Sequence, residues 1–414
     1  MSFADRPQAP GRLQRLVSID ALRGFDMFWI IGGEAVIERL ASWYMSWSKT
    51  KWPDWEFPAT LSDNVKEQLD HVKWQGFHFE DLIFPLFLFL VGVVLPFSLA
   101  KVTETGMARR AAYWRILRRT LLLYVLGLIY YGHPGLLDFD FDSHHGFLQQ
   151  PSFVHQRFVG VLQRIAICYG IAALITLWTR APGQAVILIA ILVGYWAILA
   201  KIPVPGVAEP APFTEEKNLA AYIDQNYLPG RAWVRDSAGN NLYDNEGLLS
   251  TLPAVGTALL GVLAGQWLRS RYGAAVKTLG LAVAGGACLA AGLGWAEYAP
   301  PEYRFPIIKL LWTSSYVLYA GGWSLLLLAL FYGVIDGLKW QWWAYFFVVI
   351  GANAITIYFA EKIIDFKRPA DYLFGGLAYW SNPDFYPVAA ALSVLGVEWL
   401  LLLILYRNRV FLRV

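Results

Sequence analysis

The sequence predicts an all-α polytopic membrane protein with about ten transmembrane helices, and three observations carry that prediction. Of its 414 residues 57% are hydrophobic and only 16% charged, with a mean hydropathy of +0.42, whereas a soluble domain carries about 25% charge. A helix needs about 20 mostly apolar residues to cross the hydrocarbon core, and such windows recur along the whole chain. Lys and Arg fall unevenly between the windows, as they do around membrane spans.

The first 18 residues form a short tail without an apolar stretch ahead of a small-residue cleavage site, so no removable signal peptide is expected. The windows lie at about 19–42, 78–100, 113–131, 157–178, 184–200, 250–268, 276–294, 308–335, 342–365 and 386–406. The fifth is short, and the eighth is long enough to tilt or to hide a break at Gly321-Gly322. An even count puts both ends on one side. With the amino end inside, the inner segments hold Arg6, Arg12, Arg15, Lys101, Arg109, Arg110, Arg115, Arg118, Arg119, Arg180, Arg269, Arg271, Lys277, Lys339, Arg407, Arg409 and Arg413, against Asp5, Glu104 and Asp336. The predicted orientation is therefore N-in, C-in. Residues 19–406 read as one transmembrane domain, with sizeable outer loops at about 43–77, 132–156, 201–249 and 366–385 and a tail at 407–414. Clusters such as Pro203-Val204-Pro205-Gly206 and Asp236-Ser237-Ala238-Gly239-Asn240-Asn241 read as ordered turns. No internal repeat and no inverted pair of broken helices is evident.

Lys+Arg at 34 against Asp+Glu at 31 leaves +3, without a basic patch, so nucleic acid is not an expected partner. The bulk partner is lipid. Cys168 and Cys288 sit in apolar runs without metal or redox spacing. His144-His145 with Asp138, Asp140 and Asp142 match no standard metal site, and no metal is expected.

A charge at the bilayer centre costs at least about 2.5–3.5 kcal/mol, so ionisable residues inside the windows are paired or functional. Asp20, Arg23 and Asp26 share one helix flank and can neutralise one another, whereas Glu34 has no basic residue a turn away and needs a partner from another helix. Gln163 and Arg164 lie about two turns inside the fourth window; that cation either clamps an anion or a carbonyl or pairs with Glu34 or Asp81. Lys309 with Trp312 opens the eighth. Asn353 and Glu398 read as interhelical hydrogen-bonding groups. The densest constellation is His71-Val72-Lys73-Trp74-Gln75-Gly76-Phe77-His78-Phe79-Glu80-Asp81, with an imidazole, an indole, a glycine turn and a carboxylate at the mouth of the second window. A histidine there is either a general base, since its ordinary pKa near 6.5 suits proton removal at neutral pH, or a solvated loop residue.

Ser18-Ile19-Asp20-Ala21-Leu22-Arg23-Gly24, His71-x-x-Trp74-x-Gly76 running into Asp81-Leu82-Ile83-Phe84-Pro85, and Gly160-Val161-Leu162-Gln163-Arg164 resemble the heparan-α-glucosaminide N-acetyltransferase family. So do Asp244-Asn245-Glu246-Gly247-Leu248-Leu249-Ser250-Thr251, Lys309-x-x-Trp312-x-x-Ser315-Tyr316 and Gly351-x-Asn353-x-Ile355, in family order from residue 16 to about 361. The resemblance implies transmembrane acetylation. Acetyl-CoA is supplied on the cytoplasmic side, an amino sugar on the periplasmic side of a bacterial inner membrane receives the acetyl group, and the family's catalytic histidine maps onto His71. Where the animal enzyme has an asparagine in the first span, this chain has Glu34.

On that reading His71 is the general base, with Glu34 or Asp81 holding its imidazole and Arg164 or Asn353 near the oxyanion or the pantetheine. Lys309 is grouped with these donor-binding residues. Arg23, Arg118 and Arg119 are candidates for the CoA phosphates, since Arg presents paired donors to phosphate oxygens. Trp52, Trp55 and Trp74 are candidates for stacking the sugar. The partners are then acetyl-CoA, the acceptor sugar and the bilayer, with a homodimer as the candidate assembly. A transporter for N-acetylglucosamine or a related sugar, and an O-acetyltransferase of an envelope polysaccharide, are the competing readings.

Overall fold

Close approach of helix backbones organises this protein. In a computed structural model that describes residues 16–52, 56–104, 109–132, 156–207, 212–380 and 383–412, helix α1 (Val17–Phe28) passes through a π-helical turn at Trp29–Gly33 into α2 (Glu34–Lys51). Gly32 sits at φ 120° in that turn, a left-handed conformation that only glycine adopts without strain, so the first predicted window is two helices and not one. The segment expected as the first outer loop holds the end of α2 and a further helix, α3 (Phe57–Leu69).

A 3₁₀ turn (Phe79–Leu82) leads into α4 (Ile83–Glu104), followed by α5 (Arg109–Tyr130), α6 (Val161–Trp178) and α7 (Ala181–Lys201). The expected shortness of the fifth window does not hold: α7 has 21 residues, because Pro182 is accommodated in its first turn. Helix α8 (Leu219–Tyr227) and an antiparallel hairpin of β1 (Val234–Arg235) and β2 (Asn241–Tyr243) occupy the long loop. Asp236 Oδ1 closes the hairpin turn by accepting from the N–H groups of Ala238 and Asn240 at 2.9 and 2.8 Å.

Then come α9 (Thr251–Leu268), α10 (Ala274–Leu293) and α11 (Ser314–Phe331), the last continued by a π-helical segment to Gly337. Helix α11 is unbroken at Gly321-Gly322. Those glycines let α10 come close instead: a Cβ on Gly322 would lie 2.8 Å from the Gly285 carbonyl oxygen. The break falls in the ninth window, where α12 (Ala344–Ala352) and α13 (Ala354–Ile363) meet at 69° around Asn353. Helices α14 (Lys367–Trp380) and α15 (Tyr386–Arg407) complete the chain.

The chain is an all-α polytopic membrane protein. Helices α4, α6, α7, α9, α10, α11 and α15 are each long and apolar enough to cross a membrane, and the bent pair α12 with α13 makes an eighth span if taken as one. The other two predicted windows are helical but charged, with Asp20, Arg23 and Asp26 on α1 and five arginines on α5.

Lipid tails are as apolar as leucine, so association inside a bilayer relies on tight packing around small residues. The α4–α9 crossing is of this kind, since a Cβ on Gly92 would stand 1.9 Å from the Ala258 carbonyl oxygen and one on Gly261 2.0 Å from that of Phe89. Helices α1 and α12 cross equally closely, with Gly24 against Phe347 and Gly351 against Asp20. Leu86, Leu88, Phe89, Val255, Ala258 and Leu259 are buried at this centre, while Val186, Ile189, Leu279 and Val283 on α7 and α10 face outward, where acyl chains would cover them.

Candidate active site

Residues 71–78 are held against the chain ahead of α11. Gln75 pairs with Ile308 across an antiparallel bridge, and the N–H of Gly76, at φ 130°, donates to the Ile307 carbonyl at 3.0 Å. The tight turn after it closes through the Trp312 N–H donating to the Lys309 carbonyl at 2.9 Å, with Trp312 in the left-handed region at φ 51°. For a bulky residue that conformation costs about 1–3 kcal/mol and persists only where the surroundings fix it. Here the indole donates to Thr257 Oγ1 at 3.0 Å and lies edge-on to Phe84 and Tyr316.

These two segments bring His71, Asp81 and Lys309 together. Nδ1 of His71 is 3.0 Å from Asp81 Oδ1, and Nζ of Lys309 is 3.1 Å from the same oxygen. Asp81 Oδ2 accepts the N–H groups of His78 at 3.0 Å and Val72 at 3.3 Å, and Tyr316 donates its hydroxyl to the Asp81 carbonyl at 2.8 Å. An ionised carboxylate only accepts, so pairing with Asp81 Oδ1 assigns the proton to Nδ1, and Lys309, which only donates, gives to the same oxygen although Nζ also lies 3.1 Å from Nδ1. That assignment leaves Nε2 of His71 with its lone pair, the tautomer a general base needs.

The imidazole borders a cavity of about 510 Å³. Its lining combines apolar side chains, among them Met27, Ile83, Phe84, Phe87, Leu162 and Ile165, with the polar or charged His71, Lys73, Glu80, Asp81, Glu246 and Lys309. Trp233 and Tyr243 of the hairpin and Tyr358 of α13 complete it.

Behind the hairpin lies a buried ionic cluster. Arg157 donates through Nε to Asp244 Oδ2 at 3.0 Å and through Nη2 to Asp244 Oδ1 at 2.6 Å and to Glu246 Oε2, and its guanidinium lies over the rings of Tyr131 and Trp233 at 4.8 and 4.9 Å. Asp224 of α8 accepts the N–H groups of Asp244 at 3.1 Å and Leu248 at 3.0 Å. Burial pushes the Asp224 carboxyl up to about 6 in spite of those donors, which favour its anion. Arg157→Met is expected to destabilise the protein by about 3–5 kcal/mol, because it strands buried carboxylates without their cation. Thermal unfolding in detergent checks this, and an unchanged midpoint would mean that water replaces the guanidinium.

No family model matches the chain. Two curated proteins do: heparan-alpha-glucosaminide N-acetyltransferase of Homo sapiens, 26% identical over 382 residues, or 82% of this chain and 55% of that protein, and its counterpart in Mus musculus, 25% identical over 337 residues, or 71% of this chain and 49% of that protein. This chain is a distant relative of those acetyltransferases. It spans about half the length of the curated relatives it matches.

The candidate site is built at the junction of residues 71–81 with 309–316. Other sequence-predicted residues stand elsewhere. Glu34, offered with Asp81 as the holder of the imidazole, makes no hydrogen bond or ion pair among the described residues, although it lies within electrostatic range of His71. The break at Gly32 starts a new helix at Glu34, so its direction does not follow from extending α1. Lys309, grouped with the donor-binding residues, is the ion-pair partner of Asp81. Arg164 pairs with neither Glu34 nor Asp81. It donates to Ser250 Oγ at 2.5 Å and lies over Trp312 at 4.9 Å, with Nε and Nη1 unpaired among the described residues.

Asn353 does not line the cavity; at the bend after α12 it donates to the Val410 carbonyl at 3.2 Å. Glu398 borders a second cavity of about 450 Å³ with Glu361, and its Oε2 lacks the interhelical partner expected of it. Arg23 is 3.8 Å from Asp20, but both oxygens of Asp26 are unpaired among the described residues, so the neutralised triad is only half formed. Arg119 stacks on Tyr169 at 4.6 Å and Arg118 is exposed.

The expected tryptophans do not appear in the cavity lining among the described residues. Trp52 packs on Trp47 away from the cavity, and Trp74 spends its indole N–H on the Phe213 carbonyl at 2.7 Å. Trp55, the histidines His133, His144, His145 and His155, and Asp138, Asp140 and Asp142 lie outside the described residues. Two of the rings that do reach the cavity, Trp233 and Tyr243, escaped sequence reasoning. Their signal was the turn cluster 236–241 between two short β-prone runs, the mark of a hairpin.

Proposed function

We propose that this protein carries an acetyl group across the membrane, from acetyl-CoA on the cytoplasmic side to the amine of a glucosamine-type sugar on the other, with His71 as general base. The observation that carries the proposal is the Asp81–His71 pair, which orients the imidazole so that Nε2 can take a proton beside a cavity lined by both polar and apolar side chains. The distant relationship to N-acetyltransferases supports the same chemistry.

The two kinds of lining have different tasks. The apolar walls of Phe84, Phe87, Leu162 and Ile165 suit the uncharged pantetheine arm of the donor substrate. Arg119 lies eleven residues along α5 from Tyr130, or about 16 Å at 1.5 Å per residue, and Tyr130 stacks on Tyr358 of the cavity wall at 4.6 Å. Arg118 and Arg119 are thus about half of the ~30 Å core away from the reacting end, at the start of the cytoplasmic half of α5, from which they would reach toward the CoA phosphates. Trp233 and Tyr243 replace the expected tryptophans as the faces on which a sugar ring rests.

In the reaction the amine nitrogen attacks the thioester carbonyl while His71 Nε2 takes its proton. The tetrahedral centre collapses, the C–S bond breaks, and the imidazolium gives that proton to the departing thiolate. Asp81 supports the transient imidazolium, and Lys309 holds Asp81 in place.

The test is whether purified protein in detergent consumes acetyl-CoA when offered glucosamine and forms N-acetylglucosamine. Donor consumption that depends on glucosamine is expected, and none with any amino sugar overturns the proposal. One observation favours a sugar transporter as the second reading. The helices broken at Gly32 and Asn353 both border the cavity region, as discontinuous helices do in transporters. Uptake of N-acetylglucosamine into proteoliposomes lacking acetyl-CoA would decide for it.

A further inference from the structure

The proposed site holds more carboxylates than its base requires. Asp81 is fully engaged, with Oδ1 accepting from His71 and Lys309 and Oδ2 from two backbone N–H groups. Glu246 is spent on Arg157. Glu80, one residue before Asp81 on the same 3₁₀ turn, lines the cavity with neither a hydrogen bond nor an ion pair among the described residues, and its Oε2 is buried. The charges that face it are His71, Lys309, Asp81 and Glu34, and behind it Asp26 is fully buried with both oxygens unpaired. Lys309 already neutralises Asp81. Glu80, Glu34 and Asp26 therefore leave this side of the cavity short of positive charge, and a partly desolvated carboxylate without a cation is costly.

We infer that Glu80 receives the acceptor as its ammonium ion, so that the substrate is a primary amine that enters charged. The inference rests on the acetyl-transfer reading above. It also answers a chemical need, because an ammonium has no lone pair and cannot attack a thioester. Glu80 takes the first proton, R–NH₃⁺ and carboxylate becoming R–NH₂ and carboxylic acid. The freed lone pair then forms the C–N bond, and His71 takes the second proton and hands it to sulfur as the C–S bond breaks. Glu80 finally releases its proton to water. The balance is one ammonium and one acetyl thioester in, with one amide, one thiol and one proton out. Glu80 contacts the reacting nitrogen; Asp26 and Glu34 act only through the field they add.

Glu80→Gln keeps the shape and removes the charge. At pH 6.5 we expect the KM for glucosamine to rise about tenfold or more while the KM for acetyl-CoA is unchanged. At pH 9, where the amine is largely neutral, the two proteins should converge to within about twofold, and Glu80→Asp should recover part of the loss at pH 6.5. An unchanged glucosamine KM at pH 6.5, or a loss of equal size at both pH values, overturns the inference. Equilibrium binding of glucosamine without acetyl-CoA separates this from failure of the parent reading. If the wild-type protein transfers no acetyl group yet binds glucosamine tenfold more tightly than Glu80→Gln does, the ammonium site stands and the acetyltransferase reading falls. Equal binding removes the site.

Discussion

Replacing His71 by alanine is expected to lower acetyl transfer to glucosamine by about 10²–10⁴-fold, the usual contribution of a positioned general base. The fold should survive, because the imidazole is 59% exposed and carries no core packing. Asp81 would keep Lys309 and its two backbone donors, so the pocket need not collapse. Turnover, acetyl-CoA binding and the melting temperature, measured on one preparation, check this: the first should fall and the other two hold. Wild-type turnover would mean that another cavity group, with Glu80 first in line, accepts the amine proton.

Asp81→Asn should be as damaging to turnover, for a reason that lies in hydrogen-bond direction. Both oxygens of Asp81 accept, one from His71 and Lys309 and the other from the Val72 and His78 N–H groups. An amide must turn its NH₂ towards one of those pairs, and on either side it meets donors. If the NH₂ faces His71, the imidazole is driven to the tautomer protonated on Nε2, which cannot serve as base; elsewhere, such an exchange at an orienting carboxylate costs up to about 10⁴-fold. If it faces the backbone, two buried donors lose their acceptor at about 1–3 kcal/mol each. Either way Lys309 keeps a charge without its counter-ion. A fall of at least about 100-fold in kcat, with a lowered melting temperature, is expected from single-turnover kinetics and thermal unfolding. A variant that melts lower but turns over normally would make Asp81 a structural residue only.

Much of the molecule was legible before folding. The windows of apolar residues fell on helices because in a bilayer the backbone must satisfy itself within each segment, so local composition decides the element. The His71 and Asp81 pair was readable as two residues near each other in the chain, ten positions apart at one helix mouth. Lys309 was named as well, but as a donor-binding residue, since nothing local links position 309 to position 81.

Where sequence reasoning missed, a long-range or backbone effect decided. Glycine is an ambiguous signal: Gly321-Gly322, read as a break site, lies in a continuous helix beside Gly285, while Gly32, inside an unremarkable apolar window, carries the turn that redirects Glu34. Trp74, a candidate sugar platform by sequence, is tied by its indole N–H to the Phe213 carbonyl, 139 positions away, and stands outside the cavity lining.

By itself the sequence determined the class of molecule and the chemistry available to it: an all-α membrane protein with an imidazole and a carboxylate at one helix mouth, because hydropathy and short-range spacing are local properties. Only the tertiary structure decided which carboxylate holds His71, that Lys309 joins that pair, that Arg157 is locked to Asp244 and Glu246, and that Glu80 faces the cavity without a partner among the described residues. Those outcomes depend on how helices cross and turns bend. Hydrogen bonds and ion pairs act over about 3 Å, a distance that chain spacing does not encode.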